Sequence, residues 1–245
     1  MGIAERRERE KTERRALIVN CAKELILEHG AEKVSMRDIA RKAELSKATL
    51  YLYFSSKDML FREICDEAGN RFMEYLGVRL NPGLSGIEII KLFWNCYLDI
   101  FGESDDMIVF FSMKRYLAPN HPFPFLAEEN DADATYRFYN VLKDAISRGI
   151  VEGAFDPDID VGAVSRAVLL LFSNIIEEAA RLPKELRDPA LIIGELRKIF
   201  RIILRGIAVE GLDQSFLSAP VESDRQPEDR PLGALFPRAS PPCAP

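Results

Sequence analysis

The chain has 245 residues, of which 47% are hydrophobic and 29% charged, and its formal net charge is −6. It is long enough for a substantial core, arranged as one large or two smaller domains. The longest apolar run of its second half, residues 167–172, is far shorter than the roughly 18 residues of a membrane helix, so a membrane protein is excluded. Residues 1–8 lack the apolar core of a signal peptide, and we expect a cytoplasmic location.

The four cysteines have neither the close spacing of a zinc site nor the density of a disulfide scaffold. We expect reduced thiols, no metal and no cofactor. Cys21 falls on an apolar helical stripe and is interpreted as a small buried hydrophobe. The other three are Cys65, Cys96 and Cys243.

Residues 5–15 alternate in charge. This run predicts either a solvated extension of the first helix or an arm that touches the minor groove of DNA. Apolar residues then recur at helical spacing, and His29-Gly30 is expected to end the helix because glycine supplies a C-cap.

Two short helices follow at the spacing of a helix-turn-helix. Apolar residues at 36, 39, 40 and 43 mark one helix face, and Ser35 with Asp38 forms a variant capping box at its start. Ser46 can cap a second helix after a turn of about three or four residues. In a helix-turn-helix this second helix lies in the major groove of DNA.

The same segment reads Ser-x-Arg-x-Ile-Ala, then Leu-Ser-Lys-x-Thr-Leu-Tyr-x-Tyr-Phe-x-x-Lys-x-x-Leu. It resembles the N-terminal domain of TetR-type bacterial transcription regulators over about residues 15–62. Two positions depart from the family pattern. Glu44 stands where a turn glycine is common, so it is expected to need a left-handed backbone costing roughly 1 kcal/mol. Leu52 is apolar where polar or aromatic contacts are common, and it either lowers phosphate contact or contacts a thymine methyl.

The first turn of the second helix should enter the groove most deeply. Lys47 is therefore expected to bind guanine, and Ala48 and Thr49 a thymine methyl, while the resemblance adds Arg37 as a second base-reading residue. Phosphate contacts are expected from Ser35, Tyr51, Tyr53 and Lys57. Residues 1–60 hold 13 Lys and Arg against 10 Asp and Glu, whereas the rest holds 20 against 29, so the basic end is the DNA end.

Every segment beyond Ser56 has helical spacing, and the predicted class is all-α: a three-helix DNA-binding head and a larger ligand-binding and dimerisation body. The predicted domains are residues 1–56 with the charged arm, residues 57–211 with a connecting helix over 57–80, and a disordered Pro-rich tail over 212–245. Helices are expected over 87–101, 106–117, 132–148, 161–182 and 189–210, with turns that include Gly149 and Gly153.

The last two predicted helices are unusually apolar for surface helices and need partners on both sides. They either complete the body's own core or form the four-helix dimer interface that the resemblance implies. We expect a homodimer through Val168, Leu171, Ile175, Ile199, Ile203 and Ile207.

Large side chains concentrate in residues 94–139. A group of aromatic residues this large usually belongs to the hydrophobic core. The resemblance implies a ligand cavity there, and a mostly apolar lining predicts a lipophilic or aromatic effector. The predicted lining residues are Trp94, Tyr97, Phe101, Phe110, Phe111, Met113, Tyr116, Phe123, Tyr136, Tyr139 and Phe172. The predicted lid is residues 119–125, and the candidate polar anchors are Asn95, Lys114, Arg115, His121 and Glu177.

The resemblance implies a dimer that binds a palindromic DNA operator, an inverted repeat, and is released when an effector moves the connecting helix. Two alternatives stay open. The body could bind a protein partner instead of a small molecule, or the chain could be an enzyme. We expect no catalytic residues, because neither histidine has a motif partner and no nucleophile or phosphate-binding motif is present.

Overall fold

The computed structural model describes residues 2–121, 133–182 and 186–212, and over these ranges the chain is helical, which confirms the all-α class. The helices are α1 Ile3–His29, α2 Met36–Lys42, α3 Lys47–Tyr53, α4 Lys57–Gly77, α5 Gly86–Glu103, α6 Asp106–Leu117, α7 Ala134–Val151, α8 Val161–Arg181 and α9 Pro189–Ile207. None of the helices in these ranges has the length and apolarity to cross a membrane.

Serine side chains start the three helices α2, α3 and α4. The hydroxyls of Ser35, Ser46 and Ser56 each accept a hydrogen bond from the backbone N–H three residues on, at 3.3, 3.0 and 3.2 Å. Asp38 completes the capping box at Ser35 by accepting from its backbone N–H at 3.3 Å. Each cap satisfies a backbone donor that the helix itself cannot, and the three predicted starts are confirmed.

The turn between α2 and α3 passes through Glu44, whose φ of 54° lies in the left-handed region. This confirms the expected backbone conformation at a position that favours glycine. The Leu45 backbone N–H then donates to the Ala40 carbonyl at 2.8 Å, which closes the turn.

The head packs α1, α2 and α3 around a small core. Ile18, Cys21, Ile39 and Leu50 have no exposed surface, so Cys21 is the buried hydrophobe that was predicted. Charged pairs such as Arg6 with Glu10, one turn apart, line the exposed N-terminal part of α1. The alternating charges therefore form a helical extension, and contact with a minor groove stays a prediction.

Helix α7 continues through Gly149, where a turn was predicted, and ends at Val151. A Cβ at Gly149 would lie 2.2 Å from the Phe155 ring, and one at Gly86 would lie 2.4 Å from the Gly149 backbone N. Gly149 therefore allows α7 to pack closely against both Phe155 and the start of α5. The chain reverses afterwards, at Gly153 with φ of 75°.

Helix α9 ends at Ile207, three residues before the predicted end at Glu210. Beyond it the chain runs antiparallel to the segment after α7: Asp156 N–H donates to the Ile207 carbonyl at 2.9 Å and Val209 N–H to the Ala154 carbonyl at 3.1 Å. These bonds replace helical ones, which explains the earlier end.

A connection also joins the segment between α8 and α9 to the head. The Arg187 guanidinium donates to the Leu182 carbonyl at 3.0 Å and to the Leu27 carbonyl, in the last turn of α1, at 2.9 Å. The predicted domain limits at 56 and 211 stay predictions, and all of the predicted tail except Leu212 lies outside the described residues.

Candidate nucleic-acid interface and effector pocket

Helix α3 presents an exposed face built from its first turns. Lys47, Ala48, Tyr51 and Leu52 are exposed, Leu52 by 84%. The Lys47 ammonium lies 5.7 Å from the centroid of the Tyr51 ring, within the range of a cation–π contact. A basic and an aromatic side chain thus stand together on the helix predicted to enter the groove.

Two other residues predicted to contact DNA make contacts within the head. The Thr49 hydroxyl hydrogen-bonds with the Ser46 hydroxyl at 2.8 Å. Tyr53 is half-buried against the core, and its backbone carbonyl accepts from Arg15. Local hydrogen bonds therefore compete with contacts from Thr49 to a base, a competition that sequence spacing does not reveal.

Helix α2, which packs against α3, carries two guanidinium groups. Arg37 and Arg41 are both exposed and lie one helical turn apart. Arg41 also pairs with Asp38 at 3.0 Å. Hydrogen bonds from Ser35, with smaller contributions from the two arginines, lower the pKa of Asp38. Sequence reasoning missed Arg41, although its four-residue spacing from Arg37 places both on one face.

Arg15 of α1 fastens the recognition helix to α4. Its Nε donates to Glu63 Oε1 at 2.6 Å, and its Nη2 bonds the second carboxylate oxygen, so the pair is bidentate. Its Nη1 reaches the Tyr53 carbonyl at 3.2 Å, and its guanidinium carbon lies 4.4 Å from the centroid of the Phe54 ring. Sequence analysis missed this role because Arg15 ends a run of alternating charges, and nothing in that run distinguishes it from its neighbours.

Lys57, predicted to bind phosphate, packs toward the body. Its ammonium lies 4.2 Å from the centroid of the Tyr116 ring and 5.0 Å from that of Phe61, and it donates to the Glu32 carbonyl at 3.5 Å. Burial lowers the pKa of Lys57. Its phosphate contact stays a prediction, and the side chain would have to leave Tyr116 to make it.

The predicted effector residues separate into different places. Trp94 and Phe172 line an apolar pocket, whereas Tyr116 lies at the junction of head and body. Five others are buried in the body core without lining the pocket, two are partly buried, and Phe123 is outside the described residues. The buried five are Tyr97, Phe101, Phe110, Phe111 and Met113, and the partly buried two are Tyr136 and Tyr139.

The pocket lies between α5, α7, α8 and α9 and holds about 350 Å³ of unfilled space, its open mouth included. It is narrow, with clear room for about one water molecule. A larger ligand therefore requires its walls to move. Its lining is entirely hydrophobic: Ile90, Phe93, Trp94, Leu142, Ile146, Val168, Phe172, Phe200, Ile203, Leu204 and Ile207.

Aromatic rings surround Trp94 at the pocket wall. Its ring centroid lies 4.7 Å from that of Phe200, with the planes 6° apart, and 4.4 Å from that of Phe172. Tyr97, one turn further along α5, stacks at 5.9 Å. Burial raises the pKa of Tyr97, so its hydroxyl keeps its proton.

Comparison with known proteins assigns the head. A sequence model of the family described as bacterial regulatory proteins, tetR family, matches residues 18–64. The HTH-type transcriptional repressor KstR2 of Mycobacterium tuberculosis is 26% identical over 160 residues, which cover 63% of this chain and 76% of the relative. Residues 18–64 are therefore similar to the DNA-binding domain of the TetR family. The protein is accordingly a DNA-binding transcriptional regulator.

Solved structures agree with this fold along most of the chain. The ketosteroid transcriptional regulator KstR2 of Mycobacterium tuberculosis aligns with a TM-score of 0.57 at 22% identity, covering 80% of this chain and 96% of that one. A gamma-butyrolactone receptor (ArpA like protein) aligns with a TM-score of 0.62 at 15% identity, covering 85% and 94%. The body therefore shares the helical arrangement of these regulators.

The predicted dimer residues divide between the interior and the surface. Val168 and Ile207 are buried within the chain and line the pocket. Leu171 is 42% exposed, while Ile175, Ile199 and Ile203 are partly buried. The structure adds two strongly exposed side chains of α9 to the outer face, Leu191 and Ile202.

The candidate polar anchors lie outside the pocket lining. Lys114 pairs with the buried Asp133 that caps α7, and Arg115 pairs with Glu177 of α8 at 3.4 Å. These pairs link α6 to α7 and α8. Asn95 and His121 are partly buried. Within the described ranges no three His, Cys, Asp or Glu residues are grouped so that they could hold a metal ion.

Proposed function

We propose that the protein is a homodimeric repressor that binds an inverted-repeat operator and leaves it when a small lipophilic molecule enters its body. The observation that carries the proposal is an exposed recognition helix in the head together with an apolar pocket between α5, α7, α8 and α9 in the body. Helix α6 packs against α5 and α8 and contacts α4 through Tyr116, so it lies between the two sites. The match of residues 18–64 to a family of bacterial regulatory proteins supports DNA binding by the head. The similarity to a relative named a transcriptional repressor supports repression rather than activation.

The outer faces of α8 and α9 support the dimer. Leu171 is 42%, Leu191 63% and Ile202 69% exposed in the single chain. Isolated exposed apolar residues are common, but two adjacent helices with outward apolar residues favour a protein interface. A two-fold dimer would place the two recognition helices in successive major grooves, about 34–36 Å apart, which requires an inverted repeat.

Tyr116 at the end of α6 supports coupling between pocket and head. Its ring lies 5.2 Å from that of Phe61, and its hydroxyl donates to Asp58 at 3.4 Å. Both partners belong to the first turns of α4, which begins four residues after α3 ends. A shift of α6 would therefore displace α4 and change the position of the recognition helix. Coupling of about 1–3 kcal/mol would lower operator affinity about 5- to 150-fold.

The decisive experiment selects random DNA duplexes with the purified protein at about physiological salt and titrates the winning site with a panel of lipophilic metabolites. We expect an inverted repeat that one compound class releases. An enriched repeat that no compound releases would contradict effector control and favour a protein partner. No enrichment would contradict the assignment of α3 as the recognition helix.

The dimer has its own test. Ile202→Glu places a charge on the exposed face of α9 and should yield monomers, because an unpaired charge is costly in an apolar interface. Val151→Glu, at an 88% exposed position of α7, is the matched control and should stay dimeric. Sedimentation velocity measures both, and a dimeric Ile202→Glu variant would contradict the proposed interface.

A further inference from the structure

Two buried hydrogen-bond donors beside the pocket have no acceptor within residues 2–121, 133–182 and 186–212. Trp94 Nε1 and Tyr97 Oη are buried, and neither makes a hydrogen bond to any described residue. Most buried polar side-chain atoms in proteins are paired. Two unpaired donors on one face of α5, one turn apart, therefore point to a polar atom from outside the part of the chain that the structure describes.

The surroundings of these donors exclude a charged partner. The pocket wall that Trp94 forms is made of aliphatic and aromatic side chains. Tyr97 has aromatic neighbours, with Phe172 at 5.3 Å and Phe111 at 6.4 Å between ring centroids. An ion entering such a site would lose its hydration without gaining a counter-ion.

We propose that the pocket binds a neutral, largely apolar molecule whose carbonyl or ether oxygen accepts hydrogen bonds from Trp94 Nε1 and Tyr97 Oη. The assignment of this molecule as the effector rests on the proposed function. A carbonyl oxygen has two lone pairs and can accept both donors. The two ring centroids lie 5.9 Å apart with the planes 10° apart, and Tyr97 stands behind Trp94, outside the pocket lining. One oxygen therefore reaches both donors only when the side chains of the pocket wall move.

Entry of the molecule would involve α9. Phe200 and Ile203 of this helix line the pocket, and Ile203 is only partly buried. Because the pocket is narrow, the ligand must displace side chains at this wall. The same helix carries Leu191 and Ile202 on its exposed side, so binding would act on the face proposed for dimer contact.

Trp94 is the sole tryptophan of the chain, so its fluorescence reports on this site directly. The probes are cyclohexanone, its isostere methylenecyclohexane, which replaces the oxygen by a methylene, and cyclohexanecarboxylate. Each is titrated into the full-length protein without DNA, with free N-acetyltryptophanamide as the reference for collisional quenching. We expect a saturable change with cyclohexanone, tighter binding than the isostere, and no saturable binding of the carboxylate.

Tyr97→Phe removes one donor and keeps the ring. It should weaken cyclohexanone binding about 2- to 12-fold, the range of one neutral hydrogen bond, and leave the isostere unaffected. Equal affinity for ketone and isostere, tighter binding of the carboxylate, no saturable change with any probe, or an unchanged ketone affinity in Tyr97→Phe would each overturn the proposal.

The stability of the unliganded protein provides an independent readout. Tyr97→Phe should raise the thermal unfolding midpoint, because it removes a buried donor that lacks an acceptor. Tyr75→Phe is the matched control: its buried ring carries a hydroxyl that donates to Asp99 at 3.2 Å, so its removal should lower the midpoint. A lower midpoint for Tyr97→Phe would show that its hydroxyl is already satisfied and would overturn the proposal.

The failure of this inference is distinguishable from failure of the proposed function. If cyclohexanone binds as expected but the protein selects no DNA repeat, the pocket assignment stands and the repressor proposal falls. If a compound releases the operator without changing Trp94 emission, the repressor proposal stands and this pocket assignment falls.

Discussion

The head and the body hold their candidate functional residues in opposite environments. In the head, Arg37, Lys47 and Tyr51 are exposed and lie within a short stretch of sequence. In the body, Trp94 and Tyr97 are buried among rings that come from distant segments. DNA-binding surfaces of different regulators all contact the same polymer, whereas each ligand pocket must fit its own molecule. The difference explains why the head has a recognisable sequence pattern and the body does not.

The largest expected effect comes from removing the head's fold while keeping that of the body. Leu50 of α3 has no exposed surface, and Leu→Ala at such sites costs about 2–5 kcal/mol. We expect Leu50→Ala to lose DNA binding, to lose hydrogen-exchange protection in α1–α3, and to keep the Trp94 emission of the body.

Leu52→Ala is the matched control for this experiment, because the side chain is 84% exposed on the same helix. Its stability should change by less than about 0.5 kcal/mol. If Leu50→Ala and Leu52→Ala had equal stability, the packing described for α3 would be wrong.

The second prediction sharpens the comparison within the DNA-binding region. Lys47→Ala should lose about 1–3 kcal/mol of operator affinity and relax preference at one base pair. Lys57→Ala should weaken binding to all sequences alike. Binding isotherms on the selected operator and its single-base variants measure both, and uniform weakening by Lys47→Ala would show that Lys47 does not read a base.

A smaller effect is expected where the head joins α4. Arg15→Met keeps much of the side-chain length but removes the bonds to Glu63 and to the Tyr53 carbonyl. Because the pair is partly exposed, we expect a loss of only about 1 kcal/mol in unfolding free energy. Operator affinity should fall for every sequence, since the recognition helix is held less firmly.

Arg14→Met is the control for the same charge change at an exposed neighbouring position. Urea unfolding and operator binding should both remain close to those of the parent protein. Equal losses in the two variants would indicate that net charge, rather than the contacts of Arg15, is responsible.

The smallest predicted effect is a gain in stability. Glu44 adopts φ of 54°, and replacing it by glycine should relieve up to about 1 kcal/mol of backbone strain, partly offset by glycine's greater freedom in the unfolded chain. Glu44→Ala retains the strain and should show no gain. The urea midpoint measures both, and a less stable Glu44→Gly would show that the glutamate side chain stabilises the turn.

Local signals predicted the head well because its structure depends on neighbours in sequence. Ser35, Ser46 and Ser56 cap backbone groups only three residues away. The left-handed backbone of Glu44 is likewise predictable from its place in the turn between α2 and α3. Competing local bonds were harder to predict. The spacing that assigns Thr49 to a groove is equally consistent with its hydrogen bond to Ser46.

The body depended on contacts that local patterns do not encode. Gly149 was predicted to form a turn, but its missing side chain makes room for Phe155. Lys57 and Tyr116 meet although 58 intervening residues separate them in the sequence. The aromatic residues of the body look alike in the sequence. Only the packing of α5, α7, α8 and α9 determines which few of them line the pocket.

The hydrogen bond from Arg187 to the Leu27 carbonyl has a mechanical consequence. A cation there stabilises the last turn of α1, where backbone carbonyls lack helical partners. If two chains associate through α8 and α9, a rotation of one subunit would also displace its own α1, because the hydrogen bond from Arg187 connects the two. The orientation of each head would then depend on the dimer arrangement without any involvement of the pocket.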